Sequence, residues 1–236
     1  MGRVEDLDRL YALLDRLEER VGGKRRLGDC TGHMDWPERG VYFFFAPDER
    51  REDGDNLRLT RVGTHAVSAG SSTSMWNRLR AHRGNNRGTF EGAGNHRGSV
   101  FRKRVGEAII ARDGLQDVYP QWGEGSSADR EVRLKEVGLE RRVSDYIGDL
   151  PFIWVRVDDP PGPDSDRAYL ERNAIALASN YWRDPVDPRT GHWLGNHSGV
   201  ATIRRSGLWN SDHVDEEYDP AFLDRLAEKV PETTPP

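Results

Sequence analysis

Cysteine is nearly absent from this 236-residue sequence, with Cys30 the single example. One thiol excludes an intramolecular disulfide and a cysteine-based zinc cluster, and it fits a reducing compartment. Long apolar runs are also missing. None approaches the roughly 20 residues that a membrane span needs, and the acidic, charged N-terminus has no apolar signal core. A soluble cytoplasmic protein is the expectation. No internal repeat occurs. Charged residues make up 32% of the chain and hydrophobic ones 35%, which is polar for a globular protein, yet seven Trp with many Leu, Val and Ile can fill a core. The length suits one large domain or two small ones.

Acid is scarce in one stretch. From Trp76 to Arg104, Glu91 is the only acidic residue, against Arg78, Arg80, Arg83, Arg87, Arg97, Arg102, Lys103 and Arg104. The net charge of −5 does not by itself suggest a nucleic-acid partner, but a basic island in an acidic chain implies a local electrostatic footprint. Its glycines and asparagines let backbone amides approach phosphate oxygens. Phosphate contact of this kind weakens steeply with salt. The plain alternative is a solvated loop carrying surface arginines. Gly84, Gly88, Gly92 and Gly94 do not form a Gly-x-Gly-x-x-Gly, and no strand leads into them as a dinucleotide site requires.

Leu7, Leu10, Leu13, Leu14, Leu17 and Val21 recur at helical spacing, so an amphipathic helix is predicted over residues 4–21, closed by Gly22-Gly23. Residues 24–39 read as a loop. Val41 to Phe45 is apolar throughout, a strand buried on both faces. A charged turn over 47–56, containing Asp53-Gly54, leads to a second, antiparallel strand from Leu57 to Val62. Thr73 or Ser74 can cap a helix to about Arg83. Residues 84–99 are too glycine-rich for helix or strand. Helices follow over 100–112 and 129–147, a third strand over 151–157, and a helix from Ser165 to about Ser179. Residues 184–207 read as irregular, and a short helix over 220–230 precedes a Pro/Thr tail.

Several short motifs fall in order on these elements. Gly40-Val41-Tyr42 opens the first strand and Arg61-Val62-Gly63-Thr64 closes the second. Arg78 and His82 stand four apart on the next helix. Glu171 sits on the helix after the third strand, and Trp209-Asn210 comes later. This ordered set resembles the GIY-YIG nuclease superfamily over about residues 38–83 and 151–210. The resemblance implies an α/β fold with a three-stranded antiparallel sheet flanked by helices. It divides the chain into an N-terminal helix and lead-in (1–39), a catalytic domain (40–210) with an insertion at about 84–150, and a C-terminal helix and tail (211–236). It implies a metal-dependent DNA endonuclease using Mg²⁺ or Mn²⁺. Tyr42, Arg78, His82, Glu171 and Asn210 are its implied catalytic residues, and Glu171 is the metal ligand. Asn180 and Asn196 are rivals for the asparagine, and the preceding aromatic favours Asn210. The sequence departs from the pattern at Arg61, where the family carries its second tyrosine; His65 is the nearest substitute polar group.

The chemistry can be stated independently of the family. Phosphodiester hydrolysis needs an activated water and charge stabilisation on the transferring phosphoryl group. Tyr42 could relay a proton if a neighbouring cation such as Arg78 or His82 assists, since a free phenol titrates near pH 10. Arg78 suits bidentate phosphate binding, and Glu171 suits one Mg²⁺ completed by phosphate and water. Tyr42, Gly63, Arg78 and His82 are expected to share one shallow surface. Arg61, His65, Arg80, Arg83, Arg87, Arg97, Arg102 and Lys103 are expected to contact DNA, with 84–104 as a clamp. A strand tyrosine, a surface arginine and a helical glutamate each have an ordinary structural explanation when taken singly. Three other readings stay open. Arg61 in place of the tyrosine suits a nucleic-acid-binding module on the same fold that has lost catalysis. His192 and His197, with Asn210 and His213, suggest a histidine-rich metal site. An acidic interaction protein using its N-terminal helix is the third.

Overall fold

The computed structural model describes residues 2–52, 54 and 56–236. The leucine-spaced segment forms helix α1 (Arg3–Val21), and Gly22, at φ 77°, ends it in the left-handed conformation that glycine adopts without penalty. Its leucines are almost fully buried, and the Tyr11 hydroxyl accepts a hydrogen bond from the Leu59 amide at 2.8 Å. The first helix is thereby tied directly to the sheet.

The sheet has four strands rather than the expected three. A two-residue strand, β1 (Arg25–Arg26), lies inside the segment read as loop. It is too short to leave a periodic signal. β2 (Gly40–Arg50), β3 (Leu57–Gly63) and β4 (Pro151–Arg156) complete the sheet in the order β1-β4-β2-β3, every pair antiparallel. β2 and β4 are central, which explains the unbroken apolar run from Val41 to Phe45, each residue at most 1% exposed. β2 continues to Arg50 through part of the expected turn, with its register against β3 shifted on either side of Phe45. Asp53 of the Asp53-Gly54 turn lies outside the described residues.

Alternation along β2 assigns the two layers. Phe44 packs against Phe101 of α3 (Val100–Asp113) and Tyr42 against His82 of α2 (Met75–Arg83), with α4 (Arg130–Asp149) behind them. The opposite face carries α1, α5 (Asp166–Ala178) and α7 (Phe222–Lys229), packed on one another. The 84–150 insertion therefore builds one wall of the core. The segment read as irregular contains a short helix, α6 (Ala201–Ser206), and a 3₁₀ turn over Leu194–His197. Among the described residues no helix is long and apolar enough to cross a membrane.

β3 is an edge strand, and its exposed backbone must be answered. Trp209 donates its amide to the Thr60 carbonyl at 2.7 Å. The Asn210 side chain imitates a neighbouring strand: its Oδ1 accepts from the Val62 amide at 3.1 Å and its Nδ2 donates to the Val62 carbonyl at 2.8 Å.

Candidate active site

The end of β3 is where the motif residues gather. Tyr42 and Gly63 are paired across β2 and β3. A Cβ at Gly63 would fall 2.4 Å from the Tyr42 ring and 2.5 Å from its hydroxyl. The glycine is required for space, because the phenol lies flat against its Cα. The Tyr42 hydroxyl bonds His82 Nε2 at 3.0 Å, and His82 Nδ1 bonds the Ser99 hydroxyl at 2.8 Å. Ser99 is also the N-cap of α3, accepting from the Arg102 amide.

This corrects the expected shallow surface. Tyr42 and His82 are both 0% exposed. Burial, then the Arg78, Arg61 and Arg102 charges, push the His82 pKa well below its ordinary range, so the ring is neutral. The Tyr42–His82–Ser99 chain is an internal brace between sheet and insertion. The tertiary reason is α3, which the local motifs cannot reveal and which covers the phenol's side of the sheet.

Two arginines and one carboxylate lie within electrostatic reach of one another beside that brace. Arg61, 9% exposed, occupies the position of the family's second tyrosine. Its guanidinium stands over the Phe101 ring at 4.6 Å, lies beside the Tyr42 phenol and donates to the Trp209 carbonyl at 3.3 Å. Burial lowers the Arg61 pKa most; Tyr42 and Glu171 oppose that shift and Arg78 adds to it. Glu171, on the first half of α5 after the Ser165 N-cap, accepts from the Thr64 amide through Oε1 at 3.0 Å. Burial raises its pKa, against the lowering effects of Arg61, the Thr64 amide, His213 and Arg78. Arg78 thus acts electrostatically on His82, Arg61 and Glu171 alike.

What these groups lack is informative. Among the described residues the Arg78 side chain makes no hydrogen bond or ion pair, and its Nε is buried without a partner, as is the Nε of Arg61. Glu171 Oε2 also accepts no hydrogen bond there. Buried donors are normally satisfied, so the two unpartnered Nε atoms suit an anion and the open carboxylate oxygen suits a cation.

Other expected residues go elsewhere. Asn210 positions the β3 edge, with both ends of its amide committed to Val62. His65 is 5% exposed and bonds the Glu38 carbonyl at 3.1 Å; burial, foremost, pushes its pKa down to about 4. Arg102 is 0% exposed and bound to Glu140, and Arg97 forks onto Glu136 at 2.6 and 2.9 Å. Acids distant in sequence consume these two expected phosphate contacts. Lys103 donates to the Gly123 carbonyl at 2.7 Å. Arg80, Arg83 and Arg87 line an open cleft of ≈ 520 Å³ with Asn77, Asn85 and Asn95.

His192 and His197 do not join His213, and no group of three or more His, Cys, Asp or Glu able to hold a metal occurs among the described residues. His213 instead lines an open cleft with Glu171, its Nδ1 bonded to Glu216 Oε1 at 2.7 Å. The sequence offers no sign of that pairing beyond the three-residue step from His213 to Glu216.

Glu171 can be tested as a metal ligand on its donor set. Mg²⁺ takes hard oxygen donors and keeps several waters, so one free carboxylate oxygen with phosphate oxygens completing the shell is a fit. The neighbouring guanidinia disfavour a cation until an anion arrives.

An arginine with an unpartnered Nε and a carboxylate thus stand near the end of a glycine-backed strand. A family model described as the GIY-YIG domain matches residues 1–236. The chain belongs to the GIY-YIG domain family. Neither a curated protein nor a solved structure matches it.

Proposed function

We propose that the protein is a metal-dependent endonuclease that hydrolyses phosphodiester bonds in DNA. The observation that carries this reading is the half-buried Arg78 guanidinium, its Nε without a partner, within electrostatic reach of Glu171, whose Oε2 accepts no hydrogen bond among the described residues. Arg78 binds the scissile phosphate, and its planar fork suits two phosphate oxygens. Glu171 holds Mg²⁺ or Mn²⁺, which when bound supplies charge stabilisation at the phosphoryl oxygens. Tyr42 positions His82 and Arg61 rather than touching water. The proton-accepting group on the open side is His213 Nε2, since Nδ1 is turned to Glu216. Arg80, Arg83 and Arg87 hold the flanking backbone.

The test is Glu171→Gln, which keeps the oxygen that accepts from Thr64 and removes the charge. Mg²⁺-dependent nicking of duplex DNA should vanish while binding in EDTA persists. Undiminished cleavage by this variant would refute the ligand assignment. A second reading, a nucleic-acid-binding module without catalysis, is favoured by the sealed phenol with Arg61 beside it. Salt-sensitive binding with no cutting by the wild type, in Mg²⁺ or Mn²⁺ and on any DNA form, would select it.

A further inference from the structure

Beyond the end of α5 the chain exposes a tryptophan where burial would be usual. Trp182 is 72% exposed, the most exposed large hydrophobic residue among those described. It is held at φ 58°, a left-handed conformation that is costly for a bulky side chain. Its ring meets Tyr181 edge-on at 4.8 Å between centroids. The Arg205 guanidinium lies 4.8 Å from the Trp182 ring centroid and 5.8 Å from that of Tyr181. Arg205 is exposed and forms no ion pair or hydrogen bond among the described residues. Residues 181–207 carry Arg183, Arg189, Arg204 and Arg205 against Asp184 and Asp187, and Asp187 is buried at Arg51. Arg183 is paired with Glu217 at 3.4 Å, which leaves Arg205 as the cation beside the two rings.

We propose that Trp182, Tyr181 and Arg205 form a stacking platform for an unpaired nucleobase, so that the bound strand is single-stranded or locally opened. Base–aromatic stacking tolerates any base, because every base has a π-face, and an adjacent arginine adds attraction for the backbone. An indole inside a duplex footprint finds no free base face. The platform is linked to the cleft. Glu171 and Ala178 share α5, about 10 Å apart along the helix axis. Arg183 donates to the Glu216 carbonyl at 2.6 Å, and Glu216 in turn holds His213. The inference rests on the nucleic-acid reading above, but not on catalysis.

The test is intrinsic fluorescence of the full-length protein titrated with a 15-mer of thymidine in EDTA at low salt. Trp122, Trp154, Trp193 and Trp209 are buried and Trp36 and Trp76 half-buried, so Trp182 should dominate any quenching. Wild type should quench. Trp182→Phe should lose most of the quench yet bind within about threefold, since a ring remains. Trp182→Ala should bind roughly 5- to 150-fold more weakly. An abasic strand of equal length and charge should bind as weakly to wild type as the thymidine strand does to Trp182→Ala. Equal affinity of wild type for the abasic strand, or unchanged affinity of Trp182→Ala, would overturn the platform alone. The same quench with a fully paired duplex would overturn the need for an unpaired base, as would a protein partner captured through Trp182 with no strand bound there. Absence of binding to any nucleic acid would overturn both the platform and the reading beneath it, whereas lack of cleavage would leave the titration unaffected.

Discussion

Arg78→Ala separates a ligand-binding arginine from a structural one. Arg78 is half-buried, its Nε has no partner, and it makes no ion pair among the described residues. Its removal breaks no ion pair and relieves repulsion at Arg61, and Glu171 keeps the larger stabilising charge of Arg61. Stability should change by no more than about 0.5 kcal/mol. Catalysis should suffer more. Loss of one preorganised donor at developing charge typically costs about 10²–10³ in rate, and Arg78→Lys should recover little because it lacks the fork. Arg102→Ala is the contrast. That guanidinium is fully buried and reaches Glu140 Oε2, the Glu140 carbonyl, the His82 carbonyl and the Ser144 hydroxyl. Its loss leaves the buried Glu140 carboxylate with only the His96 amide and ring, at about 3–5 kcal/mol. For a chain of this length that is roughly 6–20 °C in melting temperature. The assays are single-turnover nicking of duplex DNA with Mg²⁺ and thermal melting of each variant. Nicking by Arg78→Ala within tenfold of wild type, or melting as low as Arg102→Ala, would refute the assignment.

Gly63→Ala should destabilise the fold by about 1–3 kcal/mol, since the new methyl meets the Tyr42 ring at 2.4 Å; in chemical denaturation the same substitution made in a Tyr42→Ala background should cost less. His65, pushed down to about 4, stays neutral when folded and takes a proton near pH 6.5 when unfolded. Because its folded pKa is the lower one, the unfolded state binds more protons between these values, and stability falls as pH drops from about 6.5 to about 4. The shift corresponds to about 3 kcal/mol, and His65→Asn should remove that share of the acid sensitivity when urea midpoints at pH 7.5 and 4.5 are compared. Arg80→Ala with Arg87→Ala should reduce the log–log salt slope of duplex binding by about 0.9 for each phosphate no longer neutralised; an unchanged slope would show that the cleft holds no phosphate.

Local pattern carries much of the fold. The leucine spacing of α1, the Ser74 and Ser165 caps and the apolar run of β2 each follow from forces acting within a few residues, and each sits where the sequence places it. β1 leaves no such trace because a two-residue strand exists only through its pairing with Phe152 and Pro151. The glycine after Val62 is also readable as a motif, although its reason, the ring lying against it, is not.

The basic island shows where sequence reading stops. Charge along the chain is fixed by composition, but charge available to a ligand depends on which acids fold back onto it. Glu136 and Glu140, on a helix some forty residues away, neutralise Arg97 and Arg102 and leave Arg80, Arg83 and Arg87 lining an open cleft. The order and kinds of the motif residues, and with them the family, were set by the sequence alone. Which side chains are buried was decided by the packing of α3 over the sheet. A phenol becomes a brace or a reactant according to what covers it, and covering is a property of the assembled layers.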